Sequence, residues 1–284
     1  MRILITGAAG SVGRGLVGRL RAEHDLVLTD LVRPAWVDEA GFEFHQLDIQ
    51  VGVGLERAAR GCDLIVHTPA WHGIHWQERT EVDFWRLNVD GTFWALQAAR
   101  AAGVKRFLYL SSLSWHNHYD KYGFTKRIGE ELLEYQHRSG LSYVAVRPAD
   151  FTPWRGDWPQ NYGARLLYGG VDREDVLDAV ALSVARLAGD EQLRLIVDAT
   201  RRNAFTEADV ERWVENPAEV AESLFPGAAT VIARFGLDVS HQPRMVSSTG
   251  WEEIGYRPSR HFGTFVERAL QMTDGEVAAL SSAG

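Results

Sequence analysis

The first 20 residues constrain the fold more than any other part of the chain. Residues 2–6 (RILIT) form a short apolar run, which is typical of a buried β-strand, and the sequence GAAGSVG follows directly. Apolar residues at helical spacing come next, at Leu16, Val17 and Leu20. A strand, a glycine-rich turn and a helix in this order predict the first unit of a doubly wound α/β sheet.

The glycines of this turn are spaced to bind a dinucleotide. Gly7, Gly10 and Gly13 let the backbone turn tightly and approach a pyrophosphate, whose charge then lies on free N–H groups at the helix N-terminus. Asp30 ends the second predicted strand, roughly 20 residues after Gly7, which is the offset of a carboxylate that binds the adenosine ribose. A carboxylate there repels a 2′-phosphate, so NAD is favoured over NADP, although the nearby Arg33 leaves NADP open.

The alternation of strands and helices continues to about residue 150. Further strands are predicted at 25–30, 42–46, 63–67, 106–110 and 143–147, with helices at 85–102 and 122–137. These helices are long enough for right-handed crossovers between parallel strands. We therefore predict an α/β fold with a doubly wound, Rossmann-type parallel sheet.

The chain changes character after residue 150, where it becomes rich in Trp, Pro and Gly. We predict a dinucleotide-binding Rossmann domain over 1–150. A helix near 174–188 and a strand near 193–198 return residues 172–200 to that domain. Residues 151–171 and 201–284 are expected to form a small, mostly helical substrate-binding lid, in which the last ten or so residues fray.

Composition excludes several classes of protein. The formal net charge of −8 over 284 residues opposes a nucleic-acid partner, which needs a concentrated basic surface. No run approaches the roughly 18 apolar residues of a membrane span, and Met1 leads straight into the first strand, so we expect neither a membrane partner nor export. The lone Cys62 cannot form an internal disulfide. A cytoplasmic location is predicted.

A candidate catalytic set follows the fifth predicted strand. Tyr122 and Lys126 are four residues apart at the start of a predicted helix, so they project from one face. Ser111 and Ser112 come directly after the strand, where the carboxyl ends of parallel strands meet the cofactor crevice. Oxidation of an alcohol needs a base, and a phenol of pKa about 10 becomes one at pH 7 when a neighbouring ammonium lowers that pKa. Lys126 is the natural ammonium, and Ser112 would hydrogen-bond the substrate oxygen.

Together these motifs resemble the extended short-chain dehydrogenase/reductase family, in its NAD-dependent epimerase/dehydratase group. The resemblance covers about the first 150 residues well and the rest loosely, through TGWEEIGYRP at 249–258. The matching features are TGAAGSVG from Thr6, Asp30, Asp48, HTPA at 67–70, Asn88 in NVDGT, the serines at 111 and 112, YGFTK at 122–126 and RPAD from Arg147.

The resemblance implies a role for each matching position. Ser112, Tyr122 and Lys126 would be catalytic, and Asn88 would orient the helix around Lys126. Asp48 would reach the adenine, although it serves equally well as an ordinary helix N-cap. The full set implied to bind the dinucleotide is Gly7, Gly10, Ser11, Val12, Gly13, Asp30, Asp48, Ile49, Thr68, Pro69, Ala70, Asn88, Tyr122, Lys126 and Pro148.

Three departures from the family pattern narrow the reaction. The interval between Ser112 and Tyr122 is shorter than in many nucleotide-sugar enzymes of the group, so the loop that lines the sugar site is reduced. Leu113 and Ser114 stand where dehydratases usually carry Asp-Glu, which disfavours elimination. Motifs that grip a nucleoside diphosphate are not recognisable after Pro148. A substrate without a nucleotide becomes plausible, and the compact length resembles the uronate dehydrogenases.

Histidines and tryptophans cluster after the fourth and fifth strands. The imidazoles of His72, His75, His116 and His118 fit hydrogen bonds to a substrate hydroxyl or carboxylate, loop packing, or a metal site. We predict no metal, because no cysteine or paired carboxylate has ligand spacing here. Trp71, Trp76, Trp115, Trp154 and Trp158 fit either a wall against a sugar ring or core packing, and Arg155 and Arg165 fit a substrate carboxylate or surface ion pairs. The predicted substrate contacts are His72, His75, Ser112, Ser114, His116, Trp154 and Arg165.

These observations lead to one principal hypothesis and two alternatives. The principal hypothesis is an NAD-dependent oxidoreductase that acts on a secondary alcohol of a sugar or sugar acid. The alternatives are a sugar or nucleotide-sugar epimerase that keeps its NAD, and a non-catalytic dinucleotide-binding sensor. A homodimer is expected, in which apolar residues form a four-helix contact: Phe84, Trp85, Phe93, Leu132 and Leu133.

Overall fold

A seven-stranded sheet with strand order β3-β2-β1-β4-β5-β6-β9 forms the centre of the fold. The computed structural model describes residues 1–114, 120–152, 158–189 and 192–281. The strands of this sheet are β1 Arg2–Thr6, β2 Asp25–Asp30, β3 Glu43–Gln46, β4 Leu64–His67, β5 Arg106–Leu110, β6 Ser142–Pro148 and β9 Arg194–Ala199. The short strands β7 Phe151–Thr152 and β8 Val171–Asp172 pair separately. Every strand predicted from the sequence is present, with its ends within one residue of the predicted ones.

Helices connect the strands and build most of the remaining chain. Between the strands lie α1 Ser11–Leu20, α2 Ala35–Ala40, α3 Leu55–Ala59, α4 Glu81–Phe84, α5 Gly91–Ala102, α6 Lys121–His137, α7 Gln160–Tyr168 and α8 Arg173–Ala188. After β9 come α9 Glu207–Trp213, α10 Pro217–Leu224, α11 Ala228–Phe235, α12 Trp251–Ile254, α13 Phe262–Gln271 and α14 Asp274–Ser281.

The order of the strands places a ligand crevice at the carboxyl end of β1. Strand β1 pairs in parallel with β2 on one side and with β4 on the other, so that Ile5 lies opposite Leu28 and Val66. The chain winds outward from β1 in both directions, towards β3 and towards β5 and β6. In such sheets ligands bind outside the carboxyl ends of the strands at this switch point.

Burial explains why the strands lack polar alternation. All four residues of β4 are buried, as are the last four of β1, because helices cover both faces of a parallel sheet. Helix α1 packs its apolar face inward through Val12, Leu16, Val17 and Leu20. A core cluster continues from Leu4 and Ile65 to helices α3, α5 and α6.

The chain divides into two compact units. The first comprises Met1–Arg147, Leu177–Val197 and Glu252–Gly255, and the second Pro148–Val176, Asp198–Trp251 and Tyr256–Gly284. The second unit has its own core, in which Trp158, just before α7, packs with aromatic side chains from α7, α9 and α13, among them Tyr162, Trp213 and Phe265.

Two helix predictions need correction. The single helix predicted at 85–102 begins earlier, at α4, because Thr80 and Asp83 cap it reciprocally, and residues Trp85–Asp90 form a π-helical turn before α5. The expected fraying of the last ten residues is also wrong up to Ser281. There Thr273 and Glu276 bond each other's backbone N–H groups, with distances of 2.8 and 3.3 Å, and this cap starts α14.

The prediction of dimer-forming residues is partly wrong. Phe84 and Leu133 are fully buried in the first unit, because Phe84 packs beside the Trp76 ring and under the Lys121 ammonium, and Leu133 belongs to the core cluster that covers the sheet. Trp85 and Phe93 do reach the surface and are 42% and 39% exposed. Trp94 and Phe124 join them there. Within the described ranges, the longest and most apolar helices still fall short of what crossing a membrane requires.

Candidate active site

The glycine loop between β1 and α1 has no room for side chains. Gly7 has a φ of 75°, in the left-handed region that favours glycine, and its N–H donates to Thr29 O at 3.0 Å. A Cβ on Gly13 would lie 2.2 Å from Gly7 O, so α1 starts in direct contact with the loop. Gly10 is the N-cap of α1 and has no side chain to bond the first-turn N–H groups. This close approach of backbone to helix N-terminus is the cradle a pyrophosphate needs.

Asp30 lies beside this loop, at the carboxyl end of β2. Its carboxylate accepts from Ala9 N at 2.9 Å and from Leu31 N at 2.7 Å. Arg33 is the residue that kept NADP as an alternative cofactor. Its guanidinium donates to Asp38 Oδ1 at 2.5 and 2.9 Å and to Phe44 O at 3.4 Å. The pair raises the pKa of Arg33 and lowers the pKa of Asp38, although both side chains are exposed.

The segment after β4 closes the other side of the loop. Thr68 Oγ1 donates to Thr6 O at 2.8 Å, and a Cβ on Gly7 would meet Thr68 Oγ1 at 2.7 Å and Pro69 at 3.0 Å. The structure thus brings Gly7 together with the predicted residues Thr68 and Pro69, and Ala70 follows them. Asp48, by contrast, caps a local turn after β3, because its Oδ1 accepts from Gln50 N at 2.9 Å, and Ile49 next to it is buried.

Lys126 is buried at the carboxyl end of β5. Its ammonium donates to Leu110 O at 2.6 Å and lies 4.8 Å from the centre of the Tyr109 ring. Helix α6 begins one turn earlier, where Asp120 Oδ1 accepts from Gly123 N at 2.7 Å, and this start places Tyr122 and Lys126 on one face. Burial lowers the pKa of Lys126 to about 7, and the nearby charge of Glu130 opposes that effect.

Ser112 lies at the same edge of the sheet. It is buried, two residues beyond the carbonyl that Lys126 bonds, and its Oγ accepts from Ser114 N at 3.0 Å. The three predicted catalytic residues therefore come from the end of β5 and the first turns of α6. Such an arrangement suits proton transfer at a hydroxyl held above the sheet.

Asn88 ties α6 to the segment after β4. Its side chain exchanges two hydrogen bonds with the backbone of Trp71, at 2.9 and 3.0 Å. Its Nδ2 also donates to Thr125 Oγ1 at 2.9 Å, and Thr125 Oγ1 donates to Tyr122 O at the same distance. The π-helical turn presents Asn88, so this irregular turn connects the loop of residues 71–80 to the helix that carries Tyr122 and Lys126.

The histidine loop at 71–80 lies against the start of α6. His72 N donates to His75 Nδ1 at 3.2 Å, and the His72 ring centre is 6.4 Å from that of Tyr122. Lys121 holds the loop, because its Nζ donates to Trp76 O at 2.8 Å and to Arg79 O at 2.7 Å. Desolvation by the surrounding groups, with His75 and Lys126 nearby, lowers the pKa of His72 to about 4, so this imidazole is neutral at pH 7.

The other predicted substrate contacts either lie outside the described residues or belong to the second unit. His116 and Trp154 lie outside the described residues, as do Trp115, His118 and Arg155. Arg165 belongs to the second unit, where its Nη1 bonds Asp150 at 3.3 Å, and Trp158 is a core residue of that unit. Where the chain is described, no three His, Cys, Asp or Glu side chains group as metal ligands would.

Two buried groups next to the candidate site escaped the sequence analysis. Glu130 lies four residues after Lys126 on α6 and is bonded by Arg147 and Ser111. His67 ends β4 between two hydroxyls, with Thr6 Oγ1 at 2.9 Å and Thr92 Oγ1 at 3.2 Å, and burial lowers its pKa to about 3. The four-residue interval from Lys126 to Glu130 was the available signal for the first, whereas a histidine inside an apolar strand carries no such signal.

Comparison with known proteins decides the family. The family model described as NAD dependent epimerase/dehydratase family matches residues 3–155, more than half of the chain. The chain belongs to this family. The resemblance drawn from the motifs is thereby confirmed, together with the Rossmann-type fold, the assignment as an enzyme and NAD as the cofactor.

Relatives from two kinds of enzyme extend the likeness beyond that segment. L-arabinose 1-dehydrogenase (NAD(P)(+)) of Haloferax volcanii is 27% identical over 282 residues, which cover 94% of this chain and 99% of that protein. An uncharacterized sugar epimerase of Bacillus subtilis is 28% identical over 195 residues, 65% of this chain and 88% of that protein. A solved structure of a mutated uronate dehydrogenase shares the fold, with a TM-score of 0.67 at 19% identity, and covers 100% of this chain and 94% of its own.

Proposed function

We propose that this protein transfers a hydride between NAD and a secondary alcohol of a sugar or sugar acid. The observation that carries the proposal is the place of Lys126, buried at the end of β5 beside Ser112 and on the same helix face as Tyr122. A phenol, an ammonium and a hydroxyl so arranged form a proton-transfer site, and a scaffold that only binds a dinucleotide has no need of them.

The glycine loop fits the cofactor. Gly7 and Gly13 leave a cradle that any Cβ would fill, and Asp30 stands beside it to bind the adenosine ribose. Thr68, Pro69 and Ala70 border the loop from the side of β4. When bound, NAD supplies the nicotinamide ring that accepts or returns the hydride. We also propose that NAD contacts the other residues predicted to bind it: Ser11, Val12, Asp48, Ile49 and Pro148.

The side chains of the site divide the work on the substrate. Ser112 Oγ orients the reacting oxygen, and Tyr122 accepts the hydroxyl proton during oxidation and donates it during reduction. Lowering a phenol pKa from about 10 to 7 requires roughly 4 kcal/mol of differential stabilisation, since one pKa unit is about 1.4 kcal/mol. The Lys126 ammonium, desolvated in the core of the site, is the group that supplies much of it. His72, neutral at pH 7, donates to a neighbouring substrate hydroxyl.

A dehydrogenase that exchanges its cofactor is favoured over an epimerase that retains it. The L-arabinose dehydrogenase matches 94% of this chain and 99% of its own length, which supports the dehydrogenase. The match to the B. subtilis sugar epimerase, over 65% of the chain, keeps the epimerase as the second candidate. Nucleotide released on denaturing freshly purified protein separates them: an equimolar amount of NAD indicates the epimerase, whereas little or none indicates the dehydrogenase.

Replacement of Tyr122 tests the reaction itself. Tyr122→Phe removes the hydroxyl and keeps the ring, so NADH production from uronates and aldoses should fall at least about a thousandfold while NAD binds as before. Tyr135→Phe is the matched control, because Tyr135 is exposed on the same helix and its loss should leave the rate unchanged. Turnover retained in Tyr122→Phe contradicts the proposed role. Absence of NADH from every alcohol tested would favour the epimerase if the protein retains NAD, and the sensor if no sugar is epimerised either.

We further propose that the protein forms a homodimer. Trp85, Phe93, Trp94 and Phe124 leave large aromatic surfaces exposed on the π-helical turn, α5 and α6 of the first unit. Contiguous apolar patches of this kind mark interaction sites. Light scattering at micromolar concentration should give twice the chain mass, and Trp85→Glu should return the protein to a monomer. A monomeric parent protein contradicts the proposal. The cytoplasmic location stays a prediction.

A further inference from the structure

Glu130 is a carboxylate with both oxygens engaged inside the first unit. Only 8% of the residue is exposed. Arg147 Nε donates to Oε1 at 2.8 Å and Arg147 Nη2 donates to Oε2 at 2.5 Å, so the guanidinium and the carboxylate form a bidentate ion pair. Ser111 Oγ donates to Oε1 at 2.5 Å. Charge-assisted and bidentate bonds of this kind are strong and hold a carboxylate in one orientation.

This carboxylate lies next to the lysine of the candidate site. Glu130 follows Lys126 by one helical turn on α6, which places both side chains on one face. Its partners come from neighbouring strands, Ser111 directly after β5 and Arg147 from β6. Lys126 is 1% exposed and bonds Leu110 O, the carbonyl just before Ser111. The charge of Glu130 therefore acts on Lys126 across a dry interior, where charge interactions are strong.

We propose that Glu130, clamped by Arg147 and Ser111, is a positioning residue that keeps Lys126 in its ammonium form beside Tyr122. The inference rests on the proposed function, in which the Lys126 ammonium activates the phenol. Glu130 itself touches neither substrate nor cofactor, and it acts only through Lys126.

The physical need for a counter-charge follows from the burial of Lys126. Burial lowers the pKa of Lys126 to about 7, so at neutral pH the ammonium is retained only in part, and the negative charge of Glu130 raises that pKa. Removal of the carboxylate would take away this negative charge and keep the positive charge of Arg147, whose side chain is 15% exposed. Both effects favour a neutral Lys126, and a neutral amine cannot stabilise a phenolate.

Arg147 has the opposite effect on the same lysine. The guanidinium opposes the charge of Glu130, so its removal would leave the carboxylate free to act on Lys126 in full. The two single replacements should therefore shift the pKa of Lys126 in opposite directions. The other titratable groups facing Lys126 are unchanged in both variants: Tyr122 on its own helix, Tyr109 on β5, His67 on β4 and His72 after β4.

The lysine content of the chain makes a direct measurement possible. There are three lysines, Lys105, Lys121 and Lys126, so protein labelled with ¹³Cε-lysine gives three titrating NMR signals, and Lys126→Arg assigns one of them. The titration uses the full chain without cofactor or substrate. In Glu130→Gln we expect the pKa of Lys126 to fall by about one unit or more, and in Arg147→Gln to rise. Lys105 and Lys121 should not change.

Glu131→Gln is the matched control, because Glu131 is exposed on the same helix and pairs with Arg127 at 2.7 Å. It should leave all three lysine signals unchanged. A purely structural Glu130 would lower the unfolding temperature in Glu130→Gln without moving the Lys126 signal in either variant. If Glu130→Gln does not fold, Arg147→Gln alone carries the test.

Turnover provides the second measurement. Tyr122 and Lys126 titrate as a coupled pair, and in Glu130→Gln the first proton leaves this pair at lower pH and comes mainly from the lysine. The ascending limb of the pH profile of kcat should therefore move to lower pH. Its maximum should fall, because less of the protein holds a Tyr122 phenolate beside a Lys126 ammonium. If no alcohol is oxidised, the proposed reaction fails while the NMR titration still decides the role of Glu130. A Lys126 pKa that is equal in the wild type, Glu130→Gln and Arg147→Gln, or shifts of the same sign in both variants, would overturn the proposal.

Discussion

Gly13→Ala should displace the glycine loop and destabilise the protein, whereas Gly18→Ala, in the same helix α1, should stabilise it. Both glycines lie in α1. A Cβ on Gly13 would be 2.2 Å from Gly7 O and 2.8 Å from Ala8 Cα, both backbone atoms that no side-chain rotation can move. A Cβ on Gly18 has nothing within 4 Å. Comparison of Gly13→Ala with Gly18→Ala therefore separates the effect of the close contact on stability from the effect of helix propensity.

The two effects differ in sign and can be estimated. Alanine exceeds glycine in helix propensity by about 1 kcal/mol, and both variants gain this amount. At position 13 the backbone must give way by about 1 Å to reach an ordinary contact distance, and overpacking of this kind costs about 1–3 kcal/mol. Because the displaced atoms are main chain, we take about 3 kcal/mol. Gly13→Ala should then be about 2 kcal/mol less stable than the wild type, and Gly18→Ala about 1 kcal/mol more stable.

Thermal unfolding followed by circular dichroism checks these values. With roughly 2–4 °C per kcal/mol for chains of this size, Gly18→Ala should unfold about 3 °C higher than the wild type and Gly13→Ala about 6 °C lower. Calorimetric titration should show NAD binding at least about tenfold weaker in Gly13→Ala and unchanged in Gly18→Ala, because the displaced loop carries the N–H donors. Equal unfolding temperatures for the two variants would refute the close contact between loop and helix.

Two further predictions concern buried groups of the first unit. Burial lowers the pKa of His67 to about 3, so the unfolded chain takes up a proton below pH 6.5 that the folded one refuses. The contribution of His67 to the free energy of unfolding should fall by about 1.4 kcal/mol for each pH unit below 6.5 until about pH 3. When the free energy of unfolding is measured with urea at several pH values between 7 and 5, it should decrease less steeply with falling pH in His67→Gln than in the wild type. An identical slope would contradict this assignment. Burial also raises the pKa of Cys62 to about 11, so iodoacetamide at pH 8 should alkylate the native thiol at least about 100-fold more slowly than the unfolded one, and rapid native labelling would be inconsistent with that burial.

The parts of the fold that follow from local pattern were predictable. Twenty consecutive residues encode β1, the turn at Gly7 and α1. The signals are an apolar run for the strand, a glycine where the turn needs a positive φ, and apolar residues at helical spacing for the helix. Most of the remaining strands of the sheet are short apolar runs between turn residues, β3 (EFHQ) being the polar exception, and their ends lie within one residue of the predicted ones. The sequence places Tyr122 and Lys126 on one face because both lie within one helical turn.

The parts that depend on which way a face turns were not predictable. Phe84 and Leu133 are apolar, as interface residues often are, but Phe84 is buried against Trp76 and Lys121, and Leu133 is buried in the core cluster of the first unit. A single sequence shows that a helix has an apolar side, not whether its own core or a second molecule covers it. Thr273 and Glu276 have the spacing of a helix cap, but the small residues that follow them favour fraying by composition, so the sequence alone carries two opposing signals for α14.

Long-range polar contacts explain why the candidate site is more than its motifs. Glu130 comes from helix α6, Ser111 from the end of β5 and Arg147 from β6, and the register of β5 against β6 brings them together. Likewise Asn88 reaches both Trp71 and Thr125 because residues 85–90 form a π-helical turn. A motif predicts which residues do the chemistry, because it records neighbours along the chain. The groups that hold those residues in their charge state and orientation are neighbours in space, and physical reasoning finds them only once the sheet has been assembled.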